Sequence, residues 1–350
     1  MADDQQQANQ QANANSAPAL MRTRLTELFG IRYPIVQGGL AHLAYSGLAA
    51  AVSEAGGLGQ IGSACFETAE EMRTDIRALQ SQTTAPFGVN FPLGHRPIEP
   101  FVDVALEEHV PVISITAGNP EGVLRRIQQS GVSPLPRTMV LVAGTRAARK
   151  AQDLGADAVI GVGYEGGGHL GRDDTGTIVL TRRLVETVRI PVLASGGIVD
   201  GRGLAAAIAL GAEGVELGTR FVAVQECIAH DAYKQALVQA TELDTVLIEQ
   251  SIGRPARVLK GPWPDRVLAV EAELTRRGLS RDEALAELVP YIRGEVNKRA
   301  AVEGVLDEGF IWAGQVAGLI HDVPTARELI ERMVREAREV SNRLGGCFGD

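Results

Sequence analysis

One pattern recurs along this chain and constrains its fold more than any other feature. A helical stretch ends at Gly-Gly or Gly-Ala, and a short apolar strand follows. The pattern reads AAAVSEAGGLGQIG at residues 49–62, ARKAQDLGADAVIGVG at 148–163 and LAAAIALGAEGVELG at 204–218. Each copy places glycine where a helix C-terminus needs a left-handed residue. Each then supplies a strand that is mostly apolar rather than alternating, as a parallel strand covered by helices is. Helix and strand alternating at this spacing imply a parallel α/β sheet. Eight strand segments can be placed, at 34–37, 58–62, 87–91, 112–116, 139–143, 159–162, 192–195 and 215–217. Eight units over about 200 residues fit a closed (β/α)₈ TIM barrel. A doubly wound open sheet is the competing topology. It is disfavoured because Gln37-Gly38-Gly39, not Gly-x-Gly-x-x-Gly, follows the first strand.

The pattern stops near residue 240. A Pro- and Gly-interrupted connector at 253–265 leads to helical stretches at 285–293 and 324–344. The second has apolar residues at helical spacing and dense opposite charges. The expected organisation is a disordered Gln/Asn-rich tail over 1–21, a barrel over 22–240, and a connector with a helical subdomain packed on the barrel over 241–350. Nothing at the N-terminus has the apolar stretch of a secretory signal.

Composition sets limits on function. Apolar residues make up 45% of the 350 and charged residues 22%, so a sizeable core can be buried without disulfides or metal. The net charge of −9 argues against a nucleic-acid or anionic-membrane surface. No apolar run approaches the ~20 residues needed to cross a bilayer. Three well-separated cysteines, Cys65, Cys227 and Cys347, imply neither a disulfide framework nor a metal site. Cys65 and Cys227 are read as small core residues, and a reduced cytoplasmic setting is expected. A homodimer is compatible with the sequence.

In such a barrel the chemistry lies in the loops after the strands. Glycine concentrates there. Gly196-Gly197 and Gly218-Thr219 follow the seventh and eighth strands, where these barrels bind phosphate through backbone N–H groups. The hydroxyls of Ser195 and Thr219 can add hydrogen bonds. Taken singly, each motif also suits an ordinary tight turn. The loop after the sixth strand reads Gly163-Tyr164-Glu165-Gly166-Gly167-Gly168-His169-Leu170-Gly171. Its glycines let the loop lie flat against a planar ligand with His169 presented above it. Histidine titrates near neutrality and suits proton transfer there, so His169 is the candidate catalytic residue. Glu165 is read as bonding loop amides, and Asp173 and Asp174 as a solvated turn. His42 and His95 are minor candidates for substrate contact. No His/Asp/Glu cluster has the spacing of a metal site.

These motifs, with Pro34-Ile35-Val36-Gln37-Gly38-Gly39, Phe87-Gly88-Val89-Asn90 and Leu217-Gly218-Thr219-Arg220-Phe221, are similar to those of the nitronate monooxygenase (2-nitropropane dioxygenase) family of flavin mononucleotide (FMN) barrel enzymes. That family also includes flavin-type enoyl-acyl carrier protein reductases and NADH:quinone reductases. The resemblance runs from about Arg22 to Val340. It implies that Gln37, Gly38, Gly39, Leu40 and Asn90 line the flavin ring and ribityl chain. It implies that Gly167 touches the flavin through its backbone, and that Ser195, Gly196, Gly197, Gly218 and Thr219 hold the phosphate. His169 stands where the family keeps its catalytic histidine. The stretch from Trp312 to Gly318 matches a family helix near the barrel mouth; its small residues suit tight packing equally well. Two departures stand out. Val162 occupies a position where many nitronate monooxygenases have Gln, and Leu141-Val142 occupy the stretch where quinone-reductase relatives have Lys.

The resemblance implies oxidation of alkyl nitronates with dioxygen, His169 acting as acid or base. The alternative is an NAD(P)H-dependent flavin reductase of quinones or enoyl thioesters. A flavin-free, phosphate-binding barrel lyase or isomerase is a third reading.

Overall fold

The structure is a computed structural model that describes residues 20–94 and 96–348. The tail expected over 1–21 therefore lies outside the described residues up to residue 19, as does His95. Eight parallel strands form one sheet: β1 (Ile35–Gln37), β2 (Gly59–Gly62), β3 (Phe87–Pro92), β4 (Val112–Thr116), β5 (Arg137–Val142), β6 (Ala158–Val162), β8 (Val192–Ser195) and β9 (Gly214–Leu217). A two-residue strand, β7 (Gly168–His169), belongs to a second sheet. The main sheet runs β1-β9-β8-β6-β5-β4-β3-β2. A bridge between Val36 and Leu58 joins its two ends. Gln37 N–H donates to Leu58 O at 3.0 Å and Leu58 N–H to Ile35 O at 2.9 Å, so the ring closes as the expected barrel.

Helix α1 (Arg24–Phe29) precedes β1. Outside the barrel lie α2 (Ser46–Glu54), α3 (Ala69–Gln82), α4 (Glu99–Glu107), α5 (Glu121–Gln129), α6 (Thr145–Asp153), α7 (Thr177–Thr187) and α8 (Gly201–Ala209). The short helix α9 (Thr219–Val222) follows β9. The three glycines of the repeat, Gly56, Gly155 and Gly211, have φ of 94°, 88° and 94°, the left-handed backbone that the pattern demands. The lower barrel is filled by Val36, Leu58, Val112, Met139, Ile160 and Leu193. Leu25, Phe29 and Ile31 plug its floor.

Along each strand, inward residues alternate with residues facing the helices. Ile113, Ile115, Val140, Val159, Val192, Val215 and Leu217 face outward into the two large helix-facing clusters. The upper inward layer, by the same alternation, holds Gln60, Asn90, Ser114, Ser195 and Glu216, all buried.

Beyond the barrel come α10 (Asp231–Gln239), a hairpin of β10 (Thr245–Ile248) and β11 (Ala256–Leu259), then α11 (Pro262–Arg277), α12 (Arg281–Ile292), α13 (Gly294–Ala301) and α14 (Ala326–Phe348). The stretch at 253–265, read from sequence as a connector, contains β11. That strand is central in the second sheet, between β10 and β7. A separate core of Ile248, Ile252, Val258, Val267, Leu274 and Phe310 backs the hairpin. Among the described residues, no helix is long and apolar enough to cross a membrane.

Candidate active site at the barrel mouth

The polar upper layer is internally bonded. Asn90 Nδ2 donates to Ser114 Oγ at 2.8 Å, and Ser114 Oγ donates to Gln60 Oε1. Ser195 Oγ donates to Glu216 Oε2 at 2.8 Å. The carboxyl of Glu216 is pushed up to about 7 because it is taken out of water, the Ser195 hydrogen bond opposing this only in part. Two residues expected to face a ligand are thus committed elsewhere. The Ser195 hydroxyl is directed to Glu216. The Gln37 carboxamide binds Gln60, Oε1 accepting its N–H at 2.9 Å and Nε2 donating to its carbonyl at 3.1 Å. Gln37 therefore stitches the seam between β1 and β2.

The remaining expected residues form a ring around the mouth. A Cβ built on Gly39 would fall 2.2 Å from the Asn90 side chain, so the loop after β1 lies against β3. Leu40 reaches to within 3.7 Å of the Cβ position of Gly218 after β9. Gly196 and Gly197 have φ of 82° and 73°. A Cβ on Gly196 would come within 2.9 Å of Gly163 O, so this turn is pressed onto the histidine loop. Among the described residues, the amides of Gly196, Gly197, Gly218 and Thr219 have no acceptor. Four unpartnered N–H groups on two adjacent strand ends fit a phosphate-bearing group.

The histidine loop is clamped from both sides. Glu165 accepts the Thr177 amide at 2.8 Å and the Thr177 hydroxyl at 2.9 Å, consistent with its reading as a loop-bonding residue. Its carbonyl accepts the Gln315 amide at 2.9 Å. A Cβ on Gly167 would lie 2.6 Å from the backbone of Ala313 and Gly314. Gly314 N–H donates to Thr219 Oγ1 at 3.0 Å, so the 312–315 stretch ties the histidine loop to the turn after β9. Here the chain is extended at first, becoming a 3-10 helix only over Gln315–Leu319. The small residues are needed for this close approach.

His169 pairs with Ala256, and Leu170 N–H donates to Pro255 O at 2.8 Å. Its ring is 41% exposed and lies 5.3 Å from the Trp312 ring, centroid to centroid. Nε2 is 3.4 Å from Glu249 Oε2 and 3.2 Å from Arg254 Nη2. His169 is linked to the four amides by its own loop, against which the Gly196 turn packs, and by Trp312, whose neighbours Ala313 and Gly314 back Gly167. His42, in the loop after β1, turns instead to Gly294 at the start of α13. Burial, and then the charge of Lys298, lower its imidazole below the ordinary histidine value.

Sequence reasoning missed Glu216, Glu249 and Arg254. Glu216 carried a signal: a lone acid in an apolar strand that helices cover. Glu249 and Arg254 carried none, because they meet His169 only through a pairing across about 80 residues.

Comparison with known proteins gives the family of the chain. The family model for nitronate monooxygenase matches residues 22–100 and 96–336. The (3aS,4S,5R,7aS)-5-hydroxy-7a-methyl-1-oxo-octahydro-1H-indene-4-carboxyl-CoA dehydrogenase of Rhodococcus jostii (strain RHA1) is 33% identical, over 93% of this chain and 98% of its own. Among solved structures, FabK from Thermotoga maritima has 41% identity and a TM-score of 0.83, covering 93% of this chain and 99% of that one. The nitroalkane oxidase from Streptomyces ansochromogenes has 30% identity and a TM-score of 0.76, covering 92% and 99%. The chain belongs to the nitronate monooxygenase family of oxidoreductases.

Proposed function

We propose that the protein is an FMN-dependent oxidoreductase that oxidises alkyl nitronates with dioxygen, His169 exchanging the substrate proton. The observation that carries this reading is the pairing of two features at one mouth. Four unpartnered amides stand ready for a phosphate, and the glycine loop beside them presents a half-exposed imidazole. Bound FMN would supply the two-electron redox chemistry. Gly196, Gly197, Gly218 and Thr219 would hold its phosphate through their backbone. Gly38 to Leu40, Asn90 and Gly167 border the space above the polar layer, where the rest of the cofactor would lie. Gln37 and Ser195 contribute by fixing the barrel rim. With a neutral nitroalkane, His169 takes the α-proton: the C–H bond breaks, an N–H bond forms, and the electron pair stays on the substrate. Trp312 packs beside one side of the imidazole. A nitronate, already anionic, needs no base and only a hydrogen bond from the ring in its protonated form.

A second reading, an NAD(P)H-dependent reductase or dehydrogenase acting on a thioester, has its own support. Val162 stands where many nitronate monooxygenases have Gln, and a relative of 33% identity is a CoA-thioester dehydrogenase. His169 would then deliver a proton to the product. Anaerobic stopped-flow mixing of the FMN-loaded protein with NADH, NADPH and propionate-3-nitronate separates the two. The first reading predicts flavin bleaching by the nitronate. Fast bleaching by a nicotinamide and none by the nitronate would transfer the assignment to the second. A colourless protein that takes up no FMN would overturn both.

A further inference from the structure

The imidazole of His169 is held at one nitrogen and open at the other. Nε2 faces Glu249 Oε2 at 3.4 Å and Arg254 Nη2 at 3.2 Å, while Nδ1 has no partner among the described residues. The Glu249 side chain is 1% exposed, although it is ionisable. A carboxylate removed from water needs a cation or a hydrogen-bond donor beside it. Arg254 is a distant one, its Nε 3.7 Å from Glu249 Oε2, and its side chain is partly in solvent. His169 Nε2 is the other position within reach that can carry a donor proton.

The backbone is arranged around this contact. Glu249 has φ of 62°, a left-handed conformation that a residue with a long side chain rarely adopts. Glu271, on α11, enforces it. Its carboxylate accepts Glu249 N–H at 2.9 Å, Ser251 N–H at 2.8 Å and Ser251 Oγ at 2.7 Å. A strained residue that its surroundings over-determine marks a functional constraint. Here that constraint aims one carboxylate at one nitrogen.

We propose that Glu249 is the positioning residue of His169. Its carboxylate keeps the proton on Nε2, which leaves Nδ1 as the nitrogen that exchanges a proton with the substrate. The inference rests on the reading of His169 given above. In the forward step the substrate C–H bond breaks, Nδ1–H forms, and the electron pair remains on the substrate. The resulting imidazolium keeps its Nε2–H directed at the Glu249 carboxylate. Arg254 opposes this arrangement, since a guanidinium can only donate and so favours a lone pair on Nε2.

The test is ¹⁵N NMR of histidine-labelled, FMN-loaded protein at neutral pH, which needs no substrate. Wild type is expected to show His169 protonated at Nε2 with a free lone pair on Nδ1. Glu249→Gln removes the negative charge that favours Nε2–H and leaves Arg254, which can only donate, 3.2 Å from Nε2, so the proton should move to Nδ1. Turnover of a neutral nitroalkane should fall roughly a hundredfold, the scale of loss when a reacting group is misplaced, with KM little changed. Glu249→Asp, a carboxylate on a residue more tolerant of left-handed backbone, should keep the Nε2–H signature and covers the case in which the Gln variant fails to fold. Wild-type protonation at Nδ1, or a Gln variant with unaltered tautomer and kcat, would overturn the proposal. If His169→Asn lowers turnover while Glu249→Gln does nothing, only this inference fails. If His169→Asn keeps full turnover, the underlying reading of His169 fails instead.

Discussion

Glu216 shows how much one side chain can reveal at the scale of the residue. It is a carboxyl in an apolar strand, bonded to Ser195, with its titration pushed up to about 7 by burial. Its folded value lies above its unfolded one near 4.5. Its contribution to stability is therefore fully present below about pH 4.5 and is lost as pH rises through about 7. That loss is on the order of 3 kcal/mol by pH 8. Glu216→Gln keeps the shape without the charge, so the slope of stability between pH 5 and 8 should flatten. Urea midpoints at the two pH values would check this, and equal slopes in both proteins would refute it. Gly167 makes a second case. Its Cβ would strike the backbone of Ala313 and Gly314, so Gly167→Ala should cost ~1–3 kcal/mol and loosen the 312–315 stretch. Chemical denaturation with Trp312 fluorescence as reporter would measure it.

Among the elements, the barrel strands were legible in the sequence and the second sheet was not, for a physical reason. The barrel strands are announced locally by apolar runs that helices must cover, and β2, β6 and β9 also by a left-handed glycine just before them. Strand β7 is only Gly168–His169 and exists because β11 pairs with it. Nothing within the loop requires it. The same limit hid Glu249 and Arg254, while Ser195 and Gln37 could be placed at the mouth but not assigned a direction. The glycine ring was legible, because the glycines of each strand-end turn are neighbours in sequence. The second sheet also has its own linchpin. Glu271→Ala removes the acceptor of three hydrogen bonds in the turn that carries Glu249. Bonds to a charged group are worth ~1.5–3 kcal/mol each. Loss of even ~2 kcal/mol should speed hydrogen exchange roughly thirtyfold at the amides of Leu170 and Arg254, which bond Pro255 O and Glu249 O. Exchange in β3 to β5 should stay unchanged. Uniform acceleration across the barrel would show that the hairpin is not a separate unit.

The whole molecule separates stability from chemistry by distance along the barrel axis. The floor is apolar, plugged by Leu25, Phe29 and Ile31, and the mouth is polar and glycine-rich. Leu25→Ala should therefore cost ~2–5 kcal/mol in unfolding free energy and leave turnover per folded molecule as it was. A parallel fall in kcat would mean that the two ends are coupled. The central claim concerns the other end: that His169, on the loop clamped above the barrel mouth, exchanges the substrate proton beside an FMN held by the turns after β8 and β9. The direct measurement is the anaerobic rate of flavin reduction by a neutral nitroalkane, in wild type and His169→Asn loaded with FMN to the same occupancy. A loss of a hundredfold or more, within the ~10²–10⁴ range for a general base, with the flavin spectrum retained, is the expected result. Equal rates in the two proteins would contradict the account.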